Sequence, residues 1–421
     1  MPRLRREEWR LLGVLAVAEM FDSYDVGILS LALPEIQAGL DIPEASIGPL
    51  VAAIRLGMVV ALALTVLADR AGRRRLLLTT ILGFTLFTFA TAFARTALEF
   101  AVLQFLARIF IAGETMLAVV VVAEELQARH RGFGIGLLGA LASLGHGLAG
   151  LLFGAIDWLP YGWRALYAIG VLPLLLVAYL RRSLPETRRF EEHRRERLER
   201  GGLRASLQPL RNLARMYPSR LGLLCAAIFP FSFVIATSMT FYVKYLREVH
   251  GYEPYHVTAL FLTGGALGIL GNIYAGLLGD RVGRKRVMCT GMLLNAIAIV
   301  AFYNVPGGFA VALLWVVLLF TLTGVDALFR ALGTELFPTS YRSTASGVRS
   351  VVSTLGGAAG LACEGLLYGV AGSHALAITW MVPVLLLPPL VIGLFLPETA
   401  ARELEDVSPE IALDGRPSPT R

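Results

Sequence analysis

Asp69-Arg70-Ala71-Gly72-Arg73-Arg74-Arg75 and Asp280-Arg281-Val282-Gly283-Arg284-Lys285-Arg286 are two copies of one acidic-basic-Gly-basic turn. Each lies between two apolar stretches long enough to cross a bilayer. One turn used twice in such a setting points to duplicated halves of a membrane protein. Other pairs keep nearly the same offset. Asp69 and Asp280 are 211 residues apart, Glu125-Leu126 and Glu335-Leu336 are 210 apart, and Pro185-Glu186-Thr187 and Pro397-Glu398-Thr399 are 212 apart. Parallel halves related by an axis along the membrane normal produce such a pattern.

Composition agrees. The 421-residue chain is 56% hydrophobic and only 16% charged, whereas a soluble domain carries about 25% charged residues. Its apolar runs are roughly 18 to 25 residues long, the length that spans hydrocarbon. Backbone groups there find no water, so the runs must be helices. They lie near 10–34, 47–68, 76–94, 98–123, 133–156 and 164–181, and then near 219–246, 256–279, 287–304, 308–334, 343–370 and 375–396. The expected fold is an all-α membrane protein of twelve transmembrane helices in two pseudo-symmetric six-helix bundles. Residues 1–181 form the first bundle, 182–218 a cytoplasmic linker, 219–398 the second bundle and 399–421 a cytoplasmic tail. The first run carries Glu19, Asp22 and Asp25 and no small-residue cleavage site follows it, so it reads as a membrane helix and not as a leader.

Net charge is +7, and its placement sets orientation. One set of loops holds Arg70, Arg73 to Arg75, Arg129, Arg131, the Arg-rich middle segment, Arg281 to Arg286 and Arg342. The alternate loops are nearly bare of Lys and Arg; residues 35–46 hold Glu35, Asp41 and Glu44 only. Both termini are therefore expected in the cytoplasm, with the chain in the inner membrane. The middle segment reads as a solvated amphipathic helix held to anionic lipid heads. It has few aromatics and no recognition motif, so nucleic acid is not expected as a partner. Cys225, Cys289 and Cys363 lie in apolar segments without metal-ligand or disulfide spacing. No cofactor or metal is expected.

The chain resembles the major facilitator superfamily. The second basic turn matches that superfamily's signature, with Gly276 four residues before Asp280; the first has Thr65 at the corresponding position. Leu184-Pro185-Glu186-Thr187-Arg188, Leu396-Pro397-Glu398-Thr399 and Arg108-Ile109-Phe110-Ile111-Ala112-Gly113-Glu114 resemble sugar-porter-type members. Phe21-Asp22-Ser23-Tyr24-Asp25-Val26-Gly27-Ile28 is similar to the Asp-Gly-Tyr-Asp motif of the aromatic-acid/proton symporter branch, with Ser23 in place of Gly. The resemblance implies a cytoplasmic gate in which Asp69, Arg70, Gly72, Arg73, Glu125, Asp280, Arg281, Gly283, Arg284 and Glu335 hold the halves together in one state and release them in the other. The residues alone also allow simple retention of positive charge inside. Glu124, Glu125 and Glu335 are candidate partners for the arginines.

Charges within a span face a cavity or a partner. At about 100° per residue, Glu19, Asp22 and Asp25 fall within a ~120° arc and can line one face. Carboxylates close together in a low-dielectric site repel, so one can hold a proton near neutral pH. Arg108, near the middle of span four, keeps its charge and needs an anion, as does Arg55 in span two. Arg108 can grip a substrate carboxylate in fork geometry, or it can form a permanent bridge to Glu114, Asp22 or Asp25. A straight helix points Arg108 and Glu114 ~120° apart, against a direct pair. Glu114 can be a second proton site or a packing partner. His146 can titrate or simply pack. Asp326 and Arg330 can pair along one helix, and Gly264, Gly265, Gly268, Gly271, Gly356, Gly357 and Gly360 favour close helix contact.

No phosphate-cradling loop, zinc spacing or Ser-His-Asp arrangement is present, so neither an ATP-driven pump nor an enzyme is expected. The reading is a secondary carrier, proton-coupled, for a small organic anion, the substrate class being implied by the resemblance. Its partners are substrate, protons and lipid bilayer. Sugar or neutral-metabolite transport, proton-antiport efflux and a transporter-like sensor stay open. Oligomeric state is also open, with a monomer allowed.

Overall fold

A computed structural model of the chain describes residues 4–62, 73–181, 202–396 and 398, and every described element is helical. In the first half these are α1 Arg6–Leu31, α2 Leu33–Gly39, α3 Glu44–Val60, α4 Arg73–Thr91, α5 Ala97–Glu125, α6 Ala128–Gly154 and α7 Trp163–Arg181. Next come α8 Gly202–Met216, α9 Pro218–Glu248, α10 Pro254–Val282, α11 Arg284–Asn304, α12 Phe309–Glu335, α13 Arg342–Ala371, α14 His374–Met381 and α15 Leu387–Phe395. Among the described residues, eight helices are long and apolar enough to cross a membrane, or nine if α2 and α3 count as one span bent by 114°. α1 runs 26 residues but carries the three acids along its length. α14 and α15 are joined by a 3-10 turn, Val382–Leu386, at the point where Pro383, Pro388 and Pro389 break the α-helical ladder. Residues 182–201 of the linker and the whole tail, 399–421, lie outside the described residues; the rest of the linker holds α8.

Local chemistry sets several ends. Thr96 caps α5 by accepting from the Glu99 N–H at 3.2 Å, and the Glu99 carboxylate accepts from the Arg95 N–H at 2.8 Å. The turn between α2 and α3 needs a left-handed residue, supplied by Asp41 at φ 49°, one of the few non-glycine types that enter this region readily.

The chain falls into two compact units. One comprises Met1–Leu203 with Thr240–Thr258; the other comprises Arg204–Met239 with Ala259–Arg421. In the first, α1 packs on α6 and α7, and α5 packs on α3 and α4. The α1–α6 contact depends on Gly145, where an added Cβ would lie 1.8 Å from the Met20 carbonyl oxygen. The Tyr24 hydroxyl ties α1 to α7 by donating to the Leu166 carbonyl at 2.8 Å. An apolar cluster including Leu12, Leu15, Leu117, Val121 and Val122 fills one end of this bundle.

In the second unit α11 packs on α12 and α15. The Asn295 amide donates to the Leu318 carbonyl and Thr321 hydroxyl across α11 and α12. Gly360 on α13 sits so close to α9 that a Cβ would meet the Phe233 carbonyl oxygen at 1.9 Å. Gly271 plays the same part against Phe320, whereas Gly265 faces open space. Lipid gives no hydrophobic drive for helices to associate, so close packing through small residues must hold such contacts. Large apolar side chains such as Leu86, Phe93, Leu366 and Val370 are correspondingly exposed.

Gly145→Ala and Gly360→Ala are expected to destabilise by about 1–3 kcal/mol each through overpacking. Gly265→Ala is expected to be neutral or slightly stabilising. Melting temperatures of purified protein in detergent check the contrast.

Candidate functional site

The first unit gathers most of the charged side chains expected at the site. Glu19, Asp22 and Asp25 on α1, with Arg108 and Glu114 on α5, are each no more than 6% exposed. Three of the acids accept hydrogen bonds from threonine hydroxyls. The Thr88 hydroxyl on α4 donates to Asp25 Oδ1 at 3.2 Å. The Thr80 hydroxyl donates to Glu114 Oε2 at 2.6 Å, and the Thr115 hydroxyl to Glu19 Oε2 at 3.4 Å. Glu114 thus turns toward α4, in keeping with its angular separation from Arg108.

Arg108 lies within Coulombic reach of Asp25, Asp22 and Tyr167, yet Arg108 and Asp25 form no ion pair within 4 Å. Arg55 on α3 is half-buried and feels the like charge of Arg108. This approach is set by Gly57, where a Cβ would meet the Phe105 carbonyl oxygen at 2.6 Å and the Arg108 Cβ at 3.1 Å. Like-charged guanidinium groups held together favour an anion between or beside them.

His146 on α6 belongs to the same region. It is an electrostatic neighbour of Arg108, and its Cδ2 would lie 3.6 Å from a Cβ at Gly27. Its Nδ1 donates to the Ala142 carbonyl at 3.2 Å, leaving Nε2 as the acceptor in the neutral ring.

Five buried polar atoms here have no hydrogen-bond partner among the described residues: Asp25 Oδ2, Arg55 Nε, Gln104 Oε1, Arg108 Nε and Tyr167 Oη. Two are acceptors and three can donate. Buried polar groups are ordinarily satisfied. Sequence reading missed Gln104 and Tyr167, since both residue types are common in apolar helices. Arg108, one turn from Gln104, was the only pointer.

A second charged group in the same unit was also missed. Lys244 near the end of α9 is buried; its Nζ donates to Gln37 Oε1 at 2.5 Å, to Glu44 Oε1 at 3.1 Å and to Glu248 Oε1 at 2.5 Å. Arg247 pairs with Glu35. A lysine inside an apolar run was the available signal.

In the second unit the basic turn is ordered by acids. Arg284 pairs with Glu335 and with Asp280, the latter at 3.1 Å. Gly283 has φ 111°, a conformation suited to glycine. Glu398 Oε1 accepts from the Arg284 N–H at 2.9 Å and the Lys285 N–H at 3.4 Å, so the Glu398 carboxylate caps α11. Arg281 is exposed. Asp326 pairs with Arg330 as expected and lies 3.9 Å from Arg349. In the first copy of the turn Asp69, Arg70 and Gly72 lie outside the described residues; Arg73 opens α4, and Glu125 closes α5.

All-helical architecture, long apolar spans and a charged site buried among them define a multi-pass membrane carrier. The chain belongs to the Major Facilitator Superfamily, which it matches over residues 15–273 and 257–414. Its relatives are transporters. It is 34% identical over 187 residues to the gallate transporter of Pseudomonas putida, a match spanning 44% of this chain and 41% of that one. It is 27% identical to the cis,cis-muconate transport protein of Acinetobacter baylyi, covering 87% and 89% of the two chains. The fold resembles that of the xylose transporter XylE from E. coli in an inward open conformation, with TM-score 0.75, 18% identity and coverage of 95% and 99%.

Glu398→Ala is expected to cost about 0.5–2 kcal/mol, as loss of a helix cap does. Faster hydrogen exchange at the Arg284 and Lys285 amides, with a lower melting temperature, is the expected readout.

Proposed function

We propose that this chain is a proton-coupled symporter of a small carboxylic acid, aromatic or otherwise, working by alternating access. The observation that carries the reading is Arg108. It is buried, permanently charged, within Coulombic reach of Asp25, and not engaged by Asp25 in an ion pair.

The coupling follows from charge balance. An ionised Asp25 offsets Arg108 and repels a second carboxylate. Once Asp25 takes a proton, the field of Arg108 is uncompensated, and a substrate carboxylate becomes the anion that a buried guanidinium requires. Arg108 can offer a two-pronged donor to it. Proton and anion therefore favour each other's binding, and loading both leaves the net charge of the site unchanged. Thr88 suits this role for Asp25, because a neutral hydroxyl serves either protonation state. Glu19, Asp22, Glu114 and Arg55 shape the same field, with Glu114 a second candidate proton carrier.

The relatives support the substrate class: gallate and cis,cis-muconate, named for two of them, are carboxylates. The reading includes twelve spans in two six-helix bundles, residues 1–181 and 219–398, with both termini cytoplasmic. The two basic turns, including Asp69, Arg70, Gly72 and Arg73 in the first and Asp280, Arg281, Gly283 and Arg284 in the second, act with Glu125 and Glu335 as the cytoplasmic gate.

Proteoliposomes with an inward proton gradient are expected to accumulate a labelled benzoate-type acid and not xylose. Sugar uptake, or no transport of either, overturns the proposal. Asp25→Asn is expected to abolish gradient-driven accumulation while retaining substrate exchange. Arg108→Ala is expected to raise the apparent KM about tenfold or more, since a charge-assisted hydrogen bond is worth about 1.5–3 kcal/mol. An unchanged KM removes Arg108 from substrate contact.

A further inference from the structure

Tyr167 stands on α7 four residues after Trp163. Its ring is held edge-on to Phe100 at 6.1 Å and to Trp163 at 6.1 Å, and those two rings meet each other at 5.8 Å. The side chain is fully buried. Phenylalanine would fill the same aromatic niche without the hydroxyl, and that hydroxyl has no hydrogen-bond partner among the described residues. Burying it unpaired works against stability. The hydroxyl is thus available to an acceptor in another state of the site.

The direction of the ring narrows the choice. Phe100, Gln104 and Arg108 lie at intervals of four along α5, hence on one face. Tyr167 touches the first of these and is within Coulombic reach of the last, and also of Asp25 and Tyr24 on α1. The Tyr24 hydroxyl is occupied by the Leu166 carbonyl, so it does not compete. Asp25 Oδ1 is taken by Thr88, and Asp25 Oδ2 is unpartnered.

We infer that Tyr167 is a positioning residue for the Asp25 proton site: its hydroxyl donates to Asp25 Oδ2 when that carboxylate is ionised and lets go when it is protonated. The inference rests on the proposed symport through Asp25. A hydrogen bond given to the charged form favours it, so Tyr167 promotes release of the proton after substrate delivery. Two other groups act on the same carboxylate: Arg108 on α5 through its charge and Thr88 on α4 through its hydroxyl. Glu19, Asp22 and Tyr24 share α1, Arg55 on α3 and His146 on α6 are electrostatic neighbours of Arg108, Glu114 on α5 is bonded by Thr80 of α4, and Glu35 on α2 is held by Arg247. None of these changes in Tyr167→Phe, so the variant isolates one hydroxyl.

Without the donor, Asp25 holds its proton to higher pH. The alkaline limb of the uptake profile for a labelled benzoate-type acid is expected to move up by about half a pH unit or more, and maximal uptake is expected to fall about three- to tenfold because release is slowed. The melting temperature is expected to match or exceed that of the unaltered protein. A profile that stays in place or moves down overturns the assignment, as does a clear loss of thermal stability, which means that the hydroxyl has a structural partner. Asp25→Asn, measured alongside, separates the two levels. If it still accumulates substrate on the gradient, the symport reading itself fails. If it loses accumulation while Tyr167→Phe behaves like the unaltered protein, only the role given to Tyr167 fails.

Discussion

A guanidinium that cannot lose its proton, placed inside a bundle of lipid-spanning helices, is the constraint on which the rest of this molecule turns. Translocon-based estimates put a central arginine at about 2.5–3.5 kcal/mol uphill on an isolated helix. Arg108 is tolerable only if the bundle supplies an electrostatic environment for it. The acids of α1 are near enough to offset its charge. Gly57 lets α3 come close enough to add Arg55, which makes the need for an anion greater. Tertiary packing through small residues therefore serves the electrostatics as much as the stability.

The choice of hydrogen-bond partners for the buried acids is informative in the same way. Asp25, Glu114 and Glu19 each take a threonine hydroxyl from a neighbouring helix. A tight salt bridge would hold a carboxylate ionised and would leave a buried charge exposed when broken. A hydroxyl can donate to the ionised acid or accept from the neutral one. The first unit contrasts these acids with Lys244, whose ammonium is enclosed by three oxygen acceptors at hydrogen-bonding distance. The lysine is held by acceptors that include two carboxylates, whereas these acids accept from neutral hydroxyls.

Much of the fold was legible because it is written in composition. Apolar runs interrupted by charged turns map onto helices, and basic turns predict where helices restart, as Gly283 and α11 do. Spans were less legible where helices break: the Asp41 turn produces a bend between α2 and α3, and the prolines near 383–389 produce a 3-10 interruption, neither of which hydropathy registers. At the site, Asp25 and Arg108 announce themselves because ionisable residues are rare in spans. The polar residues around them do not, because Thr80, Thr88, Gln104 and Tyr167 are unremarkable in apolar sequence, and only three-dimensional proximity gives them meaning. Lys244 was readable by the same rule as Arg108 and was passed over. Glu398 was read as a family mark, and its position over the Arg284 and Lys285 amides emerges only from packing.

That last contact bears on how the protein is handled in the laboratory. The carboxylate of Glu398 secures the start of a helix more than a hundred residues upstream, so the far end of the final span is part of the folded body. A fluorescent reporter or affinity tag joined directly after Leu396 removes this anchor, whereas one joined beyond Glu398 leaves it in place. Fusion design should treat that glutamate as the boundary of the usable scaffold.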